Sequence, residues 1–430
     1  MMQIVKADGV RENEFLATLK TRSREVDSAV TAAVGEILEN VRLGGDRAVR
    51  DYTAKFDGQC PEVLEISRDA VNDALTQADE AFVNALLDAQ ANIADFHNRQ
   101  KTQGFIHTQE NGVILGQRVR GLKRVGVYVP GGTAAYPSSV LMNVIPAKIA
   151  GVEEIIMVTP PMKDGRPNRD ILVAAAIAGV DRIFLIGGAQ AVAALAYGTE
   201  TIPQVDKIVG PGNIYVATAK KLLYGTVDID MVAGPSEILI MADGGAPAKY
   251  VAADLMSQAE HDRLASSILL TTSETLAEET VKELERQMRQ LERREIIEES
   301  LENFGAIILC QNDAQMIELA NALAPEHLEV MLQNPMEYIG KLHNAGSVFL
   351  GNYSPEPLGD YFAGPNHVLP TSGTARFFSP LSVDSFVKRS SFIYYTKDEL
   401  LKASDEIMLI AEREGLTAHA NSIRVRSEDV

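Results

Sequence analysis

The pattern of apolar and polar residues separates a helical first part of the chain from two later series of alternating elements. Residues 29–55 carry apolar side chains at helical spacing. Ser67 is a candidate N-cap, and the pattern after it predicts one long helix that ends near Asn98. We therefore expect the first hundred residues to be helical.

A first series of short strands and helices begins at the sequence KRVGVYV. Runs of β-branched and apolar residues predict strands over residues 123–129, 154–159, 182–186 and 207–209. Helical patterns follow each of them, over residues 138–151, over 170–179, after residue 190 and up to residue 223. Strands that alternate with helices of this length predict a parallel sheet covered on both faces.

A second series begins near Glu237, with a helix predicted over residues 246–260. Its strands are predicted over residues 237–241, 266–272, 306–309, 328–331 and 347–350. The charged segment 278–303 predicts a solvated helix, in which Glu283 pairs with Arg286 and Glu285 with Arg289. From residue 380 onward the pattern predicts a helical tail. The fold class is therefore α/β, with two parallel-sheet domains and smaller helical segments at both ends.

Composition and charge limit the classes of function. The chain has 430 residues, 46% of them hydrophobic, and a formal net charge of -19. An acidic excess argues against nucleic acid and anionic membranes as partners and ordinarily serves solubility. The two cysteines, Cys60 and Cys310, form no CxxC pair, so a disulfide framework is excluded and a thiolate zinc cluster is not expected. We find no signal peptide and no run of about 18 apolar residues, and predict a cytoplasmic protein.

Three of the predicted strands end in glycine: at Gly131-Gly132, at Gly187-Gly188 and at Gly210-Pro211-Gly212. Such turns let backbone N–H groups approach a pyrophosphate at the start of the next helix. Each turn alone is more often explained by chain geometry. No GxGxxG stands at a strand end, and Thr159-Pro160 occupies the place of the usual ribose-binding acid. If a dinucleotide binds, it is held in a way that differs from the standard Rossmann site.

Histidines are scarce, and several stand in settings typical of metal ligands. Gln258 and His261 lie three residues apart at the end of a predicted helix. Asp360 and His367 lie in a loop rich in proline and glycine, and His419 lies in the polar tail. Imidazole, carboxylate and amide oxygen together can bind Zn²⁺. Each residue alone is better explained as a solvated polar side chain, and HExxH is absent, so spacing by itself does not establish a metal site.

Glu326 and His327 form a second notable group, in the sequence APEHLEV at the start of a predicted strand. A histidine titrates near neutral pH and can act as a general base, while a neighbouring carboxylate can activate water. A surface pair without function is the simpler interpretation of these two residues alone.

Taken together, these segments resemble the histidinol dehydrogenase family. The resemblance runs from about residue 121 to 426 and includes VGVYVPGGTAAYPSSVLMNVIPAKIAGV, GGAQAVAALAYGT, IVGPGNIYVATAK, DMVAGPSEILI, AADLMSQAEHD, APEHLE, NYSPEPLGDYFAGPNHVLPTSGTARF and EGLTAHANSIRVR. It implies oxidation of L-histidinol to L-histidine through L-histidinal with two NAD, in the last steps of histidine biosynthesis. Glu326 is then expected to activate water and His327 to be the general base.

The resemblance also implies the ligand sets. The expected ligands of one Zn²⁺ per subunit, which orients the substrate, are Gln258, His261, Asp360 and His419. The expected substrate contacts are Ser236, Gln258, His261, His327, Asp360, Glu414 and His419. The expected NAD contacts are Tyr128, Gln190 and Asn213.

A homodimer with shared active sites and two incomplete Rossmann-like domains are further implications of the resemblance. We expect an N-terminal helical segment (1–25) and a first domain (26–122 with 237–380) that carries the zinc and catalytic residues. The second domain (123–236) would carry NAD, and the tail (381–430) would reach the partner subunit, where Glu414 and His419 complete the neighbouring site.

Three alternatives remain open at this point. A related zinc- and NAD-dependent enzyme could act on another small alcohol, such as a sulfonated diol, but the presence of Ser236, Glu414 and His419 favours histidinol. A zinc hydrolase could use Glu326 to activate water, yet it leaves the glycine turns without a role. A binding or scaffold protein without activity is disfavoured by the polar clusters in glycine-rich loops.

Overall fold

Two parallel sheets form the frame of the protein in a computed structural model, which describes residues 2–22, 28–131 and 136–428. The first sheet has the strand order β1-β11-β10-β9-β12-β13, and all its neighbours pair in parallel. Its strands are β1 (Gln3–Lys6), β9 (Glu237–Ala242), β10 (Ser266–Thr271), β11 (Gly305–Leu309), β12 (His327–Met331) and β13 (Ser347–Leu350).

The second parallel sheet has the order β6-β5-β4-β7-β8. Its strands are β4 (Arg124–Tyr128), β5 (Glu154–Thr159), β6 (Arg182–Leu185), β7 (Lys207–Val209) and β8 (Asp228–Ile229). A smaller antiparallel sheet has the order β14-β3-β2. Its strands are β2 (Phe105–Thr108), β3 (Ile114–Gly121) and β14 (Val387–Tyr394).

Helices cover both parallel sheets. In chain order they are α1 (Arg11–Arg22), α2 (Ser28–Asp57), α3 (Arg68–Thr76), α4 (Glu80–Asn98), α5 (Pro137–Ile149), α6 (Arg169–Ala178), α7 (Gly188–Tyr197), α8 (Ile214–Leu223), α9 (Ala248–Ala259), α10 (Glu274–Met288), α11 (Arg294–Phe304), α12 (Asp313–Leu323), α13 (Glu356–Tyr361), α14 (Lys397–Lys402), α15 (Ser404–Arg413) and α16 (Thr417–Ser427). Short 3₁₀ helices span Pro335–Lys341, Thr374–Arg376 and Val383–Phe386.

Most residues in the central strands of the parallel sheets are apolar because both faces are buried. In β5, EIIMVT, every residue after the first is buried, and β10 is buried throughout. One face of the second sheet packs against α5 and α6, and the other packs against α7 and α8. The predicted α/β class with parallel sheets is thus confirmed.

Most of the predicted strands and helices are confirmed to within about two residues, and Glu283 and Arg286 form their predicted ion pair at 2.7 Å. The long helix predicted after Ser67 was wrong. Ser67 caps only α3, and the chain then starts a new helix at Asp79, whose carboxylate accepts the Phe82 N–H at 2.9 Å.

Five strands, β1, β2, β3, β8 and β14, lie where the sequence pattern predicted none. Residues Gln3–Lys6 add β1 to the edge of the first sheet, so the first hundred residues are not all helical. The segment expected to begin a helical tail instead forms β14. This strand pairs with β3, which lies more than 260 residues earlier in the chain, and β2 pairs with the other edge of β3. All five are short or partly exposed, so they lack a buried apolar run.

The packing of the early helices bears on the domain boundaries, which stay a prediction. Helix α2 packs against α7 and α8, while α3 and α4 pack against α5 and α6. We therefore propose that residues 28–98 belong with the second sheet. Among the described residues, no helix has the length and apolar character that crossing a bilayer requires.

Candidate active site

A pocket of about 360 Å³ lies where the carboxyl ends of β4 and β7 face the amino ends of β9 and β12. In a parallel sheet the carboxyl ends of the strands are the usual place for a ligand. The pocket is lined by seven of the residues predicted from the sequence, namely Asn213, Ser236, Gln258, His261, Glu326, His327 and Asp360. The structure thus brings together residues that lie up to 147 positions apart, from Asn213 to Asp360.

Glu326 and His327 are held by the edge of the neighbouring strand β9. The Glu326 carboxylate accepts the backbone N–H of Glu237 at 2.9 Å. Nδ1 of His327 donates to the carbonyl oxygen of Glu237 at 3.0 Å, since a carbonyl can only accept. In the neutral ring the lone pair is therefore on Nε2, which lies 3.6 Å from Oδ1 of Asp360. A base oriented in this way faces the pocket.

Both side chains are buried, and this changes their acidity. Burial raises the pKa of the Glu326 carboxyl to about 8. Burial by itself lowers the pKa of His327, but the nearby carboxylates of Glu326, Glu356 and Asp360 outweigh it and hold that pKa well above its ordinary value. Raised pKa values of this kind suit residues that give and take protons in catalysis.

Asp360 lies near the end of α13, among histidines. Burial raises the pKa of its carboxyl, but the contact with His327 and the nearby charge of His367 outweigh burial and keep the pKa below its ordinary value. Nδ1 of His367 donates to the backbone carbonyl of Asp360 at 3.0 Å, and its Nε2 lies 3.4 Å from the Ser139 hydroxyl. Asp360 is thus held as a carboxylate at the pocket wall.

Gln258 and His261 stand at the end of α9. Gln258 is in the last turn and is fully buried, whereas His261 follows the helix end and is exposed. Neither the amide oxygen nor the amide nitrogen of Gln258 has a hydrogen-bond partner among the described residues. A buried amide without a partner costs about 1–3 kcal/mol, so a ligand for its oxygen is expected.

One residue near these donors had not been predicted from the sequence. This residue is Glu356. One of its carboxylate oxygens, a ring nitrogen of His261 and a carboxylate oxygen of Asp360 all lie within 4.8 Å of one another. The sequence did contain a sign of this residue, namely its spacing from Asp360. Glu356 and Asp360 stand four residues apart in SPEPLGD, which puts them on one side of a helix.

The predicted NAD contacts lie around the glycine turns of the second sheet. The Tyr128 hydroxyl at the end of β4 accepts the N–H of Gly188 at 3.1 Å. Gln190 follows two residues later, is 1% exposed, and has no partner for its amide among the described residues. Asn213 caps α8 and lines the pocket. Of the three turns, Gly132 lies outside the described residues.

Comparison with known proteins identifies the family. Residues 20–427 match the family described as histidinol dehydrogenase. The chain belongs to the histidinol dehydrogenase family. It is 55% identical over 426 residues to histidinol dehydrogenase of Clostridium acetobutylicum, with 99% of each chain covered. It is 58% identical over 417 residues to that of Listeria innocua, with 97% of each chain covered.

A solved structure of the family supports the fold. The crystal structure of histidinol dehydrogenase from Elizabethkingia anophelis aligns with a TM-score of 0.92 at 38% identity, covering 100% of this chain and 98% of the other. The chain is therefore an oxidoreductase of the histidinol dehydrogenase family.

Four of the residues expected from the family resemblance do not line the pocket within one chain. Two of them, Tyr128 and Gln190, lie at the glycine turns, and the other two are in the tail. Glu414 ends α15, and His419 lies in α16, where both are exposed. Helix α16 packs against α15, and the side chains Ile407, Leu409 and Ile410 of α15 are exposed. The role of the tail in a second subunit's site remains a prediction.

A buried ion pair under the Gly210 turn was also missed by the sequence analysis. Lys220 and Asp230 are in contact, with side chains 3% and 1% exposed. Lys220 Nζ donates to the carbonyl of Gly210 at 3.0 Å, and Asp230 accepts the Gly210 N–H at 2.8 Å. The pair therefore fixes both polar groups of a turn in which Gly210 has a φ of +109°.

Replacing Lys220 with Met is expected to reduce the free energy of unfolding by about 3–5 kcal/mol, because the charge of Asp230 then remains buried without a cation. Adding Asp230→Asn should restore part of this loss, since the second change removes the unpaired charge. Urea denaturation of the single and double variants measures both effects. A double variant less stable than Lys220→Met would contradict the explanation.

Proposed function

We propose that this enzyme oxidises L-histidinol to L-histidine through L-histidinal, with two NAD as hydride acceptors. It would act in the cytoplasm as a homodimer and carry out the last steps of histidine biosynthesis. The observation that carries the proposal is the pocket itself, where the Glu326-His327 pair stands beside the metal-type donors Gln258, His261 and Asp360. That pocket opens at the end of a Rossmann-like sheet, which is where a nicotinamide cofactor fits.

The donors present fit a zinc ion. Gln258 contributes an unpartnered buried amide oxygen, His261 an imidazole and Asp360 a carboxylate, and His419 of the partner subunit would add a second imidazole. When bound, Zn²⁺ offers open positions to the imidazole and amine nitrogens of the substrate and so orients it. In our proposal this orientation is the chief contribution of the site to the rate.

The two residues of the proton-transfer pair act in turn. His327 takes the proton of the alcohol through Nε2, the atom that its bond to the Glu237 carbonyl leaves free. NAD, when bound, accepts the hydride in each of the two oxidations. Glu326 then takes a proton from the water that adds to the aldehyde, while His327 returns its proton to the aldehyde oxygen. His327 is thereby free to serve as the base again in the second oxidation.

The remaining polar residues hold the ligands. Ser236 lines the pocket at the start of β9 and is proposed to contact the substrate, as is Glu414 of the partner subunit, whose carboxylate suits the substrate amine. Tyr128, Gln190 and Asn213 are proposed to contact NAD around the turns after β4, β6 and β7.

The stoichiometry of the reaction tests this function. With histidinol and NAD supplied, we expect two NADH for each histidine formed, measured by absorbance and amino-acid analysis. Removal of the metal with a chelator should abolish turnover, and added Zn²⁺ should restore it. One NADH per turnover, or hydrolysis without NAD, would contradict the proposal.

A further inference from the structure

Helix α5 contains a proline, Pro146, in its last turn. A proline has no backbone N–H, so the carbonyl of Met142, four residues earlier, lacks its regular helical donor. Met142 is buried, and buried carbonyls in folded proteins nearly always accept a hydrogen bond. The donor comes from a remote part of the chain, because the side-chain amide of Asn366 donates to the Met142 carbonyl at 2.6 Å.

The buried side chain of Asn366 also contacts helix α4 and its own loop. Its amide nitrogen lies 3.4 Å from Nε2 of His97 in α4. Nδ1 of His97 donates to the carbonyl of Ile93 at 2.9 Å, so Nε2 is the acceptor, and burial lowers the pKa of His97, which keeps the ring neutral. The amide oxygen of Asn366 accepts the Val368 N–H at 2.9 Å. Asn366 therefore joins its loop to α4 and α5 at once.

The loop that Asn366 anchors follows α13 and carries residues of the active-site pocket. His367 is the next residue, and its Nδ1 donates to the backbone carbonyl of Asp360 at 3.0 Å. Both of these residues line the pocket, whereas Asn366 does not. The same loop is held a second time by α4, because the Asn92 side chain donates to the carbonyl of Phe362 at 2.9 Å. A loop next to the proposed zinc site is thus attached to two helices of the other sheet.

We propose that Asn366 is a positioning residue for the metal centre. It fastens the loop of Asp360 and His367 to α5, at the carbonyl that Pro146 leaves without a helical donor. This inference rests on the zinc site of the proposed function and adds what holds one of its ligands in place. Because α4 and α5 pack on the second sheet, the same anchor fixes the metal side of the pocket relative to the sheet proposed to carry NAD.

Zinc binding by the full-length protein tests this role without any assay of activity. Asn366→Leu removes all the side-chain hydrogen bonds of residue 366 and fills a similar volume. We expect this variant to bind Zn²⁺ about 10-fold more weakly, measured by competition with a chromophoric chelator. In the metal-free protein, amide hydrogens of residues 358–368 should exchange faster with solvent, because the loop is no longer tied to α5.

A second substitution separates positioning of the loop from a general loss of stability. Pro146→Ala supplies an N–H to the Met142 carbonyl, so this carbonyl has a donor again even when Asn366 is replaced. We expect the variant Pro146→Ala with Asn366→Leu to regain thermal stability relative to Asn366→Leu alone. Its zinc affinity should stay low, because the loop remains detached from α5. Recovery of zinc affinity together with stability would show a purely structural role and overturn the proposal.

Gln90→Met is the matched control. Gln90 lies in α4, and its side-chain amide donates to the carbonyl of Ile177 in α6 at 2.9 Å, so this variant loses the same kind of bond between two segments. That bond does not involve the loop after α13. We expect the control to keep the zinc affinity of the unmodified protein and the same hydrogen exchange in residues 358–368. Thermal denaturation checks that each variant is folded.

The outcomes separate this inference from the proposed function. Unchanged zinc affinity or unchanged hydrogen exchange in Asn366→Leu, or an equal loss of affinity in Gln90→Met, would overturn the role of Asn366 and leave the zinc site intact. Should Asn366→Leu not fold, the same measurements on Asn366→Ser, with its smaller side chain, decide the question. An unmodified protein that binds no zinc would instead contradict the proposed function, and hydrogen exchange would still decide whether Asn366 holds the loop.

Discussion

Glu326→Gln is expected to slow the oxidation of histidinal about 10²–10⁴-fold while affecting the oxidation of histidinol much less. The amide of glutamine can still accept the Glu237 N–H that holds residue 326 in place, but it cannot take a proton from water. The first oxidation needs no water, and His327 remains available as its base. Rapid-mixing measurements of NADH formation, started either from histidinol or from histidinal, give the two rates separately.

The test depends on comparing the effects of each variant on the rates of the two oxidations. His327→Asn, which removes the base used in both oxidations, should slow both of them. If Glu326→Gln slowed both oxidations equally, the division of roles between Glu326 and His327 would be wrong. Zinc content and thermal denaturation of each variant show whether the pocket is otherwise intact.

The second prediction concerns two variants that are each expected to be nearly inactive but to restore activity together. His327→Asn removes the base of a chain's own site, and His419→Asn removes a ligand given to the partner's site. When equal amounts are unfolded and refolded together, half of the dimers hold one copy of each, and one of their two sites is intact. The mixture should therefore recover about one quarter of the unmodified activity.

A second mixture provides the control. His327→Asn and Glu326→Gln alter the same site of the same chain, so their mixed dimers contain no intact site and should not recover activity. Recovery in this control, or none with His419→Asn, would contradict a shared active site. The exposure of His419 and Glu414, away from the pocket within one chain, motivates the experiment.

The buried strands of the two parallel sheets could be predicted from the sequence because burial on both faces requires continuous apolar runs. β5 is such a run and β10 contains one at its centre, and the predicted bounds of both were nearly correct. β1 and β14 could not be predicted in this way, since their partners are more than 260 residues distant and their own side chains are largely exposed.

The residues of the candidate site were likewise predictable only in part. Glu326 and His327 stood out as neighbours in the chain, and the family resemblance supplied Gln258, His261 and Asp360. The spacing of these residues in the sequence could not identify any of them as a ligand, because residues far apart in sequence meet only after folding. Lys220 and Asp230 were missed for that reason, since neither carries a motif and only the fold buries them together.

By itself the sequence determined an α/β protein of the histidinol dehydrogenase family, because apolar periodicity and long ordered motifs are local properties of the chain. The tertiary structure decided how the amino ends of one parallel sheet meet the carboxyl ends of the other. It also decided which nitrogen of His327 is free and that Glu356 lies beside His261 and Asp360. Such features depend on distances and burial between remote segments, and only the folded chain fixes those.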